Sequence, residues 1–175
     1  LLLKEKNVDE IWALARNEKK LSRLKDKFGK KIKIYSIDLS SVRQIKCFGE
    51  ELHEEAGRKN LEISYLVNNA GFAKFCSYGD LSVEESLNMM HVNMDAVVAM
   101  GLVCIPYMKK GSHMINIASQ ASFQPLPYQN IYSSTKSFVR NYSRALNVEL
   151  KEKGICVTAV SYTHPEPTRR TPISY

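Results

Sequence analysis

The chain has 175 residues, of which 44% are hydrophobic, enough for one buried core but not for a second domain of ordinary size. No apolar run reaches the length of a membrane span, and Leu1, Leu2 and Leu3 are followed at once by Lys4, Glu5 and Lys6, so neither a transmembrane segment nor a signal-peptide core is expected and the chain reads as cytoplasmic. The formal charge of +7 does not point to nucleic acid, because the lysines between Lys4 and Lys59 interleave with Glu5, Glu10, Glu18, Asp26, Glu50, Glu51, Glu54 and Glu55, as on solvated helix faces.

Strands and helices alternate along the chain. Residues 10–15 (EIWALA) predict a strand, residues 17–28 a charged helix with Leu21, Leu24 and Phe28 on one face, and residues 31–37 the next strand. Ser40 or Ser41 is placed to cap a helix running towards Arg58. A strand at 63–67, a loop through Asp80 and a long helical region from Ser82 to about Lys109 follow, the last with a Met, Val and Ala content that predicts burial. Residues 113–119 predict a strand, 131–153 a helix and 155–160 a strand. Alternating β and α elements with short connections imply a parallel sheet covered on both faces, and right-handed crossovers make it doubly wound: a Rossmann-type, three-layer α/β/α fold. Cys47, Cys76, Cys104 and Cys156 lie far apart, and His53, His91, His113 and His164 have no ligand spacing, so neither a metal nor a disulfide framework is expected.

Chemistry concentrates near the last helix. Tyr132 and Lys136 stand one helical turn apart, so a helix starting near Ile131 puts phenol and ammonium on one face. A free tyrosine titrates near about 10 and is a poor base at neutral pH, whereas a cation held nearby favours the phenolate. Such a hydroxyl gives a proton to a carbonyl or takes one from an alcohol. Ser119 closes the apolar stretch 113–118 (HMINIA) and so lies at a strand's carboxyl end, where open α/β sheets bind their ligands. Taken alone, the Tyr132 and Lys136 spacing also fits a half-buried tyrosine beside a solvated lysine.

Order and spacing narrow the choice. Asn68, Asn69, Ala70 and Gly71 follow the strand at 63–67, then come Asn93 after His91 and Val92, then Ser119, Tyr132 and Lys136. This series resembles the short-chain dehydrogenase/reductase family over about residues 9–160. The resemblance implies an oxidoreductase that passes a hydride between a nicotinamide cofactor and a carbonyl or secondary alcohol, with Asn93, Ser119, Tyr132 and Lys136 as the catalytic set. Tyr132 exchanges the proton, Ser119 polarises the substrate oxygen, and Lys136 also bonds the nicotinamide ribose. Asn93 holds a water that links the lysine to solvent; a core-facing amide bonded to backbone is the alternative.

The remaining cofactor contacts carry over singly. In the family an acidic residue at the end of the second strand marks NAD, and a basic residue just beyond marks NADP. Here Ala15 holds the acidic position and Arg16 follows, which favours NADP over NAD unless Arg16 is an ordinary surface arginine. Asp38 and Leu39 resemble the pair whose carboxylate accepts from the adenine amino group, although an Asp capping the next helix has the same appearance. Asn69, Ala70 and Gly71 resemble the segment that supports the central sheet and lines the adenosine ribose; a simple turn is the alternative.

Both ends depart from the pattern. No strand with a glycine-rich turn precedes Glu10, residues 1–6 read as the last turns of the helix after such a turn, and Gly29, Gly49 and Gly57, taken as single glycines in helix ends or loops, do not replace it. Residues 161–175 read as a tail outside the family pattern, and the codons GTC TCT TAT ACA CAT, which translate as residues 160–164, match a transposon end used in sequencing libraries, so read-through is expected there. The chain is therefore expected to hold an incomplete domain over residues 1–160 that is inactive by itself. Residues 123–128 (FQPLPY) are expected to line the substrate pocket and suit a moderately apolar ketone, aldehyde or secondary alcohol. Two other classes stay open: a cofactor sensor without turnover, and an oligomeric interaction module. Residues 92–107 and the helix after Tyr132 are placed to pair with copies of themselves, as in the family's dimers and tetramers, and no nucleic-acid or membrane partner is expected.

Overall fold

Parallel strands and the helices between them follow in the predicted order over residues 8–161, which the computed structural model describes. They are β1 (Ile11–Ala15), α1 (Glu18–Phe28), β2 (Ile32–Ser36), α2 (Val42–Lys59), β3 (Tyr65–Asn68), α3 (Val83–Met90), α4 (Ala96–Cys104), β4 (His113–Ile117), α5 (Asn130–Glu149) and β5 (Cys156–Val160). The expectations for residues 1–6 and for the tail fall on residues 1–7 and 162–175, outside the described ones.

Local chemistry sets the boundaries. The Asn17 side chain accepts from Lys20 N at 2.9 Å and starts α1, and Gly29 at φ 70° ends it. Ser41, rather than Ser40, caps α2 by accepting from Gln44 N at 3.4 Å. Ser82 and Glu85 close a reciprocal capping box on α3. Several expectations are corrected. Phe28 is 39% exposed because it stands at the last turn of α1, where the chain is about to reverse. Gly49 and Gly57 lie inside α2, and Gly49 is there for proximity: a Cβ on it would stand 3.1 Å from Val103 Cγ1. Helix α5 stops at Glu149, short of Lys153, since Gly154 at φ 68° turns the chain into β5 where a Cβ would come within 2.7 Å of Lys110 Cγ.

The long helical region is continuous over Val83–Tyr107, with a π-turn at His91–Asp95 and a 3₁₀ turn at Ile105–Tyr107. By length and composition it is apolar enough to cross a membrane, which corrects the expectation that no segment is. A few polar residues interrupt the run of apolar letters, yet its mean hydropathy stays at 1.5. In this fold it is a core helix: Met89, Val92, Ala96, Val97, Met100 and Cys104 are all buried.

The ladders are parallel, β1 with β2 and β3 with β4 and β5, as the helical crossovers require. Instead of one sheet they form two, with no ladder between β1 and β3 among the described residues. Side chains join them. Ile37, Ile45, Phe48 and Leu52 share one core with Leu66, Met100, Met114 and Val157, and Trp12, Leu14 and Tyr35 pack against it. The rings of Trp12, Tyr35 and Phe48 add mutual contacts at centroid distances of 5.1 to 6.1 Å. Helix α4 nests between β4 and α5 because Gly101 has no side chain; a Cβ there would lie 3.2 Å from both Met114 Cε and Tyr142 Oη. Gly101→Val is therefore expected to cost about 1–3 kcal/mol by overpacking. Urea unfolding measures it, and an unchanged midpoint would show that α4 has room to spare.

Candidate functional site

The carboxyl ends of the strands open on a cleft with two adjoining cavities. The larger, about 530 Å³, is lined by Asn69, Ser119, Tyr132 and Lys136, together with Ile117 from the end of β4. The smaller, about 250 Å³, is lined by Ala15, Arg16, Asp38, Leu39 and Ala70. Gly71 and Phe72 line both. Nine of the sequence-predicted residues thus meet around one cleft, and Asn93 lies behind its wall.

Asn93 is fully buried in the π-turn, and its amide is spent on protein. Its Oδ1 accepts from Phe72 N at 3.0 Å, while Nδ2 donates to Phe72 O at 3.0 Å and to Thr135 Oγ1 at 3.1 Å. The side chain thereby holds the loop after β3 as a neighbouring strand would. Gly71 is what lets the loop come this close: a Cβ on it would lie 3.0 Å from Asn93 Oδ1 and 3.3 Å from Lys136 Nζ.

Helix α5 brings Tyr132 and Lys136 to the cavity from one face. Lys136 is buried, donates to Ile117 O at 2.7 Å, and keeps its ammonium 5.8 Å from the Tyr132 ring centroid. Burial pushes its pKa below the ordinary 10.5. Tyr132 finds no hydrogen-bond partner for its hydroxyl among the described residues, while Ser119 Oγ accepts from Ala121 N at 3.2 Å and so keeps its own proton to donate. Both side chains line the larger cavity.

At the other end, Arg16 Nη1 lies 3.9 Å from Asp38 Oδ2, and the Arg16 side chain stays 61% exposed. Asp38 does not cap α2; its Oδ1 accepts from Ser40 N at 2.9 Å and Ser40 Oγ at 2.8 Å. Desolvation pushes the Asp38 carboxyl up, but the Ser40 bonds and the Arg16 charge outweigh it and hold the group below its ordinary 3.8.

A sequence profile described as short chain dehydrogenase matches residues 3–173. The chain belongs to the short-chain dehydrogenase family. Mouse 17-beta-hydroxysteroid dehydrogenase type 3 is 34% identical over 113 residues, 62% of this chain and 37% of that protein. The NADP-dependent 3-hydroxy acid dehydrogenase YdfG of Escherichia coli K12 is 31% identical over 154 residues, 86% of this chain and 60% of that protein. The chain spans less than two thirds of either relative. Among solved structures, the closed form of serine dehydrogenase complexed with NADP+ superposes with a TM-score of 0.75 at 30% identity, covering 87% of this chain and 61% of that one.

The cleft suits the dinucleotide that members of such a family carry. Ala15, Ala70 and Gly71 leave backbone accessible along the smaller cavity, a guanidinium stands at its rim, and an ammonium lines the larger one. Two groups escaped the sequence reading. Thr135 is 1% exposed and bonded to Asn93, and its only signal was a hydroxyl on the same helical face as Asn93 must approach. Asn116, fully buried, accepts from Asn68 Nδ2 at 2.8 Å and donates to Ser143 Oγ at 2.9 Å, tying β3 to β4 and α5; an asparagine inside an apolar strand was the available sign.

The buried ammonium makes a testable demand on stability. A base whose folded pKa is depressed is penalised while charged, fully below the folded value and not at all above 10.5. The unfolding free energy of wild type should therefore gain on that of Lys136→Met as pH rises from neutral towards 10.5. Denaturant titrations at neutral and alkaline pH give the comparison; a difference that stays constant would mean that the ammonium is not desolvated.

Proposed function

We propose that the protein is an oxidoreductase that moves a hydride between NADP(H) and a carbonyl or secondary alcohol, with Tyr132 as the proton-exchanging group. The observation that carries this reading is that Ser119, Tyr132 and Lys136 line one cavity, with both hydroxyls able to donate. The nicotinamide, when bound, supplies the hydride acceptor or donor. Tyr132 would give its proton to the substrate oxygen in reduction and recover it in oxidation, and Ser119 would hold that oxygen by a second hydrogen bond. The Lys136 ammonium, held by the Ile117 carbonyl, would reach the nicotinamide ribose. Asn93, its amide committed to Phe72 and Thr135 in the way a core-facing amide bonded to backbone would be, would keep the loop at Phe72 in place beside the catalytic residues.

Arg16 would take the extra phosphate of NADP, for which a planar guanidinium is suited, and Asp38, Leu39, Asn69, Ala70 and Gly71 would flank the adenosine. The NADP named for the Escherichia coli relative and for serine dehydrogenase supports this choice over NAD. Residues 123–128, expected to line the substrate pocket, line neither cavity, and Arg140 Cζ stands 4.4 Å from the Phe123 ring centroid. The apolar wall of the larger cavity, made by Phe72, Ala73, Ile117 and Ala118, suits a substrate whose reacting carbon is attached to an apolar body. The hydroxysteroid named for the mouse relative is an alcohol of that kind, and the 3-hydroxy acid named for the Escherichia coli relative is an alcohol that carries a carboxyl group. In the same reading the enzyme works in the cytoplasm as a homodimer or homotetramer, with exposed Leu102 of α4 and Val148 of α5 offering apolar surface to a second copy.

Tyr132→Phe in the full-length protein keeps the ring and removes the proton, so turnover of NADPH with a carbonyl panel should fall about 100-fold or more while cofactor affinity holds. Retention of a tenth of wild-type turnover would sink the assignment. Arg16→Gln should weaken NADP(H) about tenfold or more with little change for NAD(H), since one charge-assisted phosphate contact contributes about 1.5–3 kcal/mol. Equal effects on the two dissociation constants would reduce Arg16 to a surface residue.

A further inference from the structure

We propose that Thr135 is a positioning residue that ties the catalytic turn of α5 to the cofactor-side loop through Asn93, a role that rests on the reading of the cleft given above. The bonds run in one direction. Phe72 fixes the orientation of the Asn93 amide, because its N–H at 3.0 Å needs the carbonyl oxygen and its C=O at 3.0 Å needs the NH₂ group. The second Asn93 Nδ2 hydrogen then points to Thr135 Oγ1 at 3.1 Å, so that hydroxyl accepts, and its own proton goes to Tyr132 O at 2.7 Å. Asn93 and Thr135 are 0% and 1% exposed, so water has no access to replace a broken link. Among the described residues, the Asn93 to Thr135 bond is the hydrogen bond that joins the π-turn to α5.

The consequence is mechanical. Phe72 lines both cavities, and Tyr132 lines the larger one, so the chain of bonds connects the loop that faces both ligands to the backbone that carries the phenol. Without the Thr135 hydroxyl, one Asn93 donor is left buried and unpaired, and the first turns of α5 lose their reference to the loop. Misplacement by an ångström costs about 100-fold in rate where reacting groups must be aligned. The loss should therefore appear in turnover rather than in binding.

The experiment uses the full-length protein, NADPH and a carbonyl substrate that wild type reduces. Thr135→Val keeps the shape and should lower kcat about tenfold or more with cofactor Kd and substrate KM within about twofold; Thr135→Ser restores the hydroxyl and should recover most of kcat. In a double-mutant cycle, Asn93→Ala combined with Thr135→Val should be little worse than Asn93→Ala alone, because both cut the same chain. Thermal melts verify that each variant folds, and if Thr135→Val does not, Thr135→Ala against Thr135→Ser carries the comparison. A Thr135→Val enzyme with wild-type kcat, a Thr135→Ser enzyme as slow as the Val variant, or additive losses in the cycle would each overturn the role. Tyr132→Phe, measured alongside, reports on the acid–base reading by itself: undiminished turnover there removes that reading, whereas the Thr135 series removes only the positioning.

Discussion

The cleft depends on one buried amide. Asparagine is a poor helix residue, and an unpaired amide in an apolar interior costs about 2–7 kcal/mol, so Asn93 is tolerable inside Val83–Tyr107 only with its oxygen and both amide hydrogens directed at partners. Phe72 and Thr135 supply those partners. The π-turn at His91–Asp95 is where the helix departs from regular α geometry to present them, and departures of that type gather at functional sites. Because the partners come from a loop and from another helix, satisfying one side chain fixes the relative placement of three elements.

A second set of buried polar contacts repeats the same economy of partners a few ångströms along the strand ends. Asn68, Asn116 and Ser143 form a chain that closes on the Val139 carbonyl at 2.6 Å, and the next residue of β4 after Asn116 is Ile117, whose carbonyl holds Lys136. An apolar residue at Asn116 would pack in β4 without any such demand. Buried polar networks fully satisfied in this way stiffen and specify their surroundings, at the cost of tolerance to change. The lysine stands at the edge of that network as a desolvated cation.

Hydrophobic periodicity made most of the fold legible, because each element has a pattern that depends on few neighbours. The strand at Ile11–Ala15 and the buried α4 follow from a short and a longer run of apolar residues, and α1 from its charged, amphipathic pattern. What a single chain pattern does not encode is distance between elements. That is why Phe28 turned out exposed, why Gly49 and Gly101 proved to be contact points of helices, and why β1 and β3 share a core but no ladder. The site divides along the same line. That Ser119, Tyr132, Lys136 and Arg16 would come to the strand ends was readable from residue type, spacing and the family resemblance, whereas Thr135 and Asn116 bond to partners 42 and 27 or more residues away.

The two cations of the cleft show how burial separates functions that charge alone would not. Arg16 is 61% exposed beside a weak partner at 3.9 Å, so its field reaches into solvent and is screened over about 8 Å at physiological salt. A group of that kind suits capture of an anion and discrimination between a phosphate and a hydroxyl, since its guanidinium is already desolvated only in part and can exchange Asp38 for a stronger acceptor. Lys136 has the opposite environment. Its charge is screened little, its position is set by the Ile117 carbonyl, and any group that accepts from it must enter the cavity to do so. An exposed cation at one end and an enclosed cation at the other, joined by the loop at Gly71 and Phe72, give the cleft two electrostatically different ends.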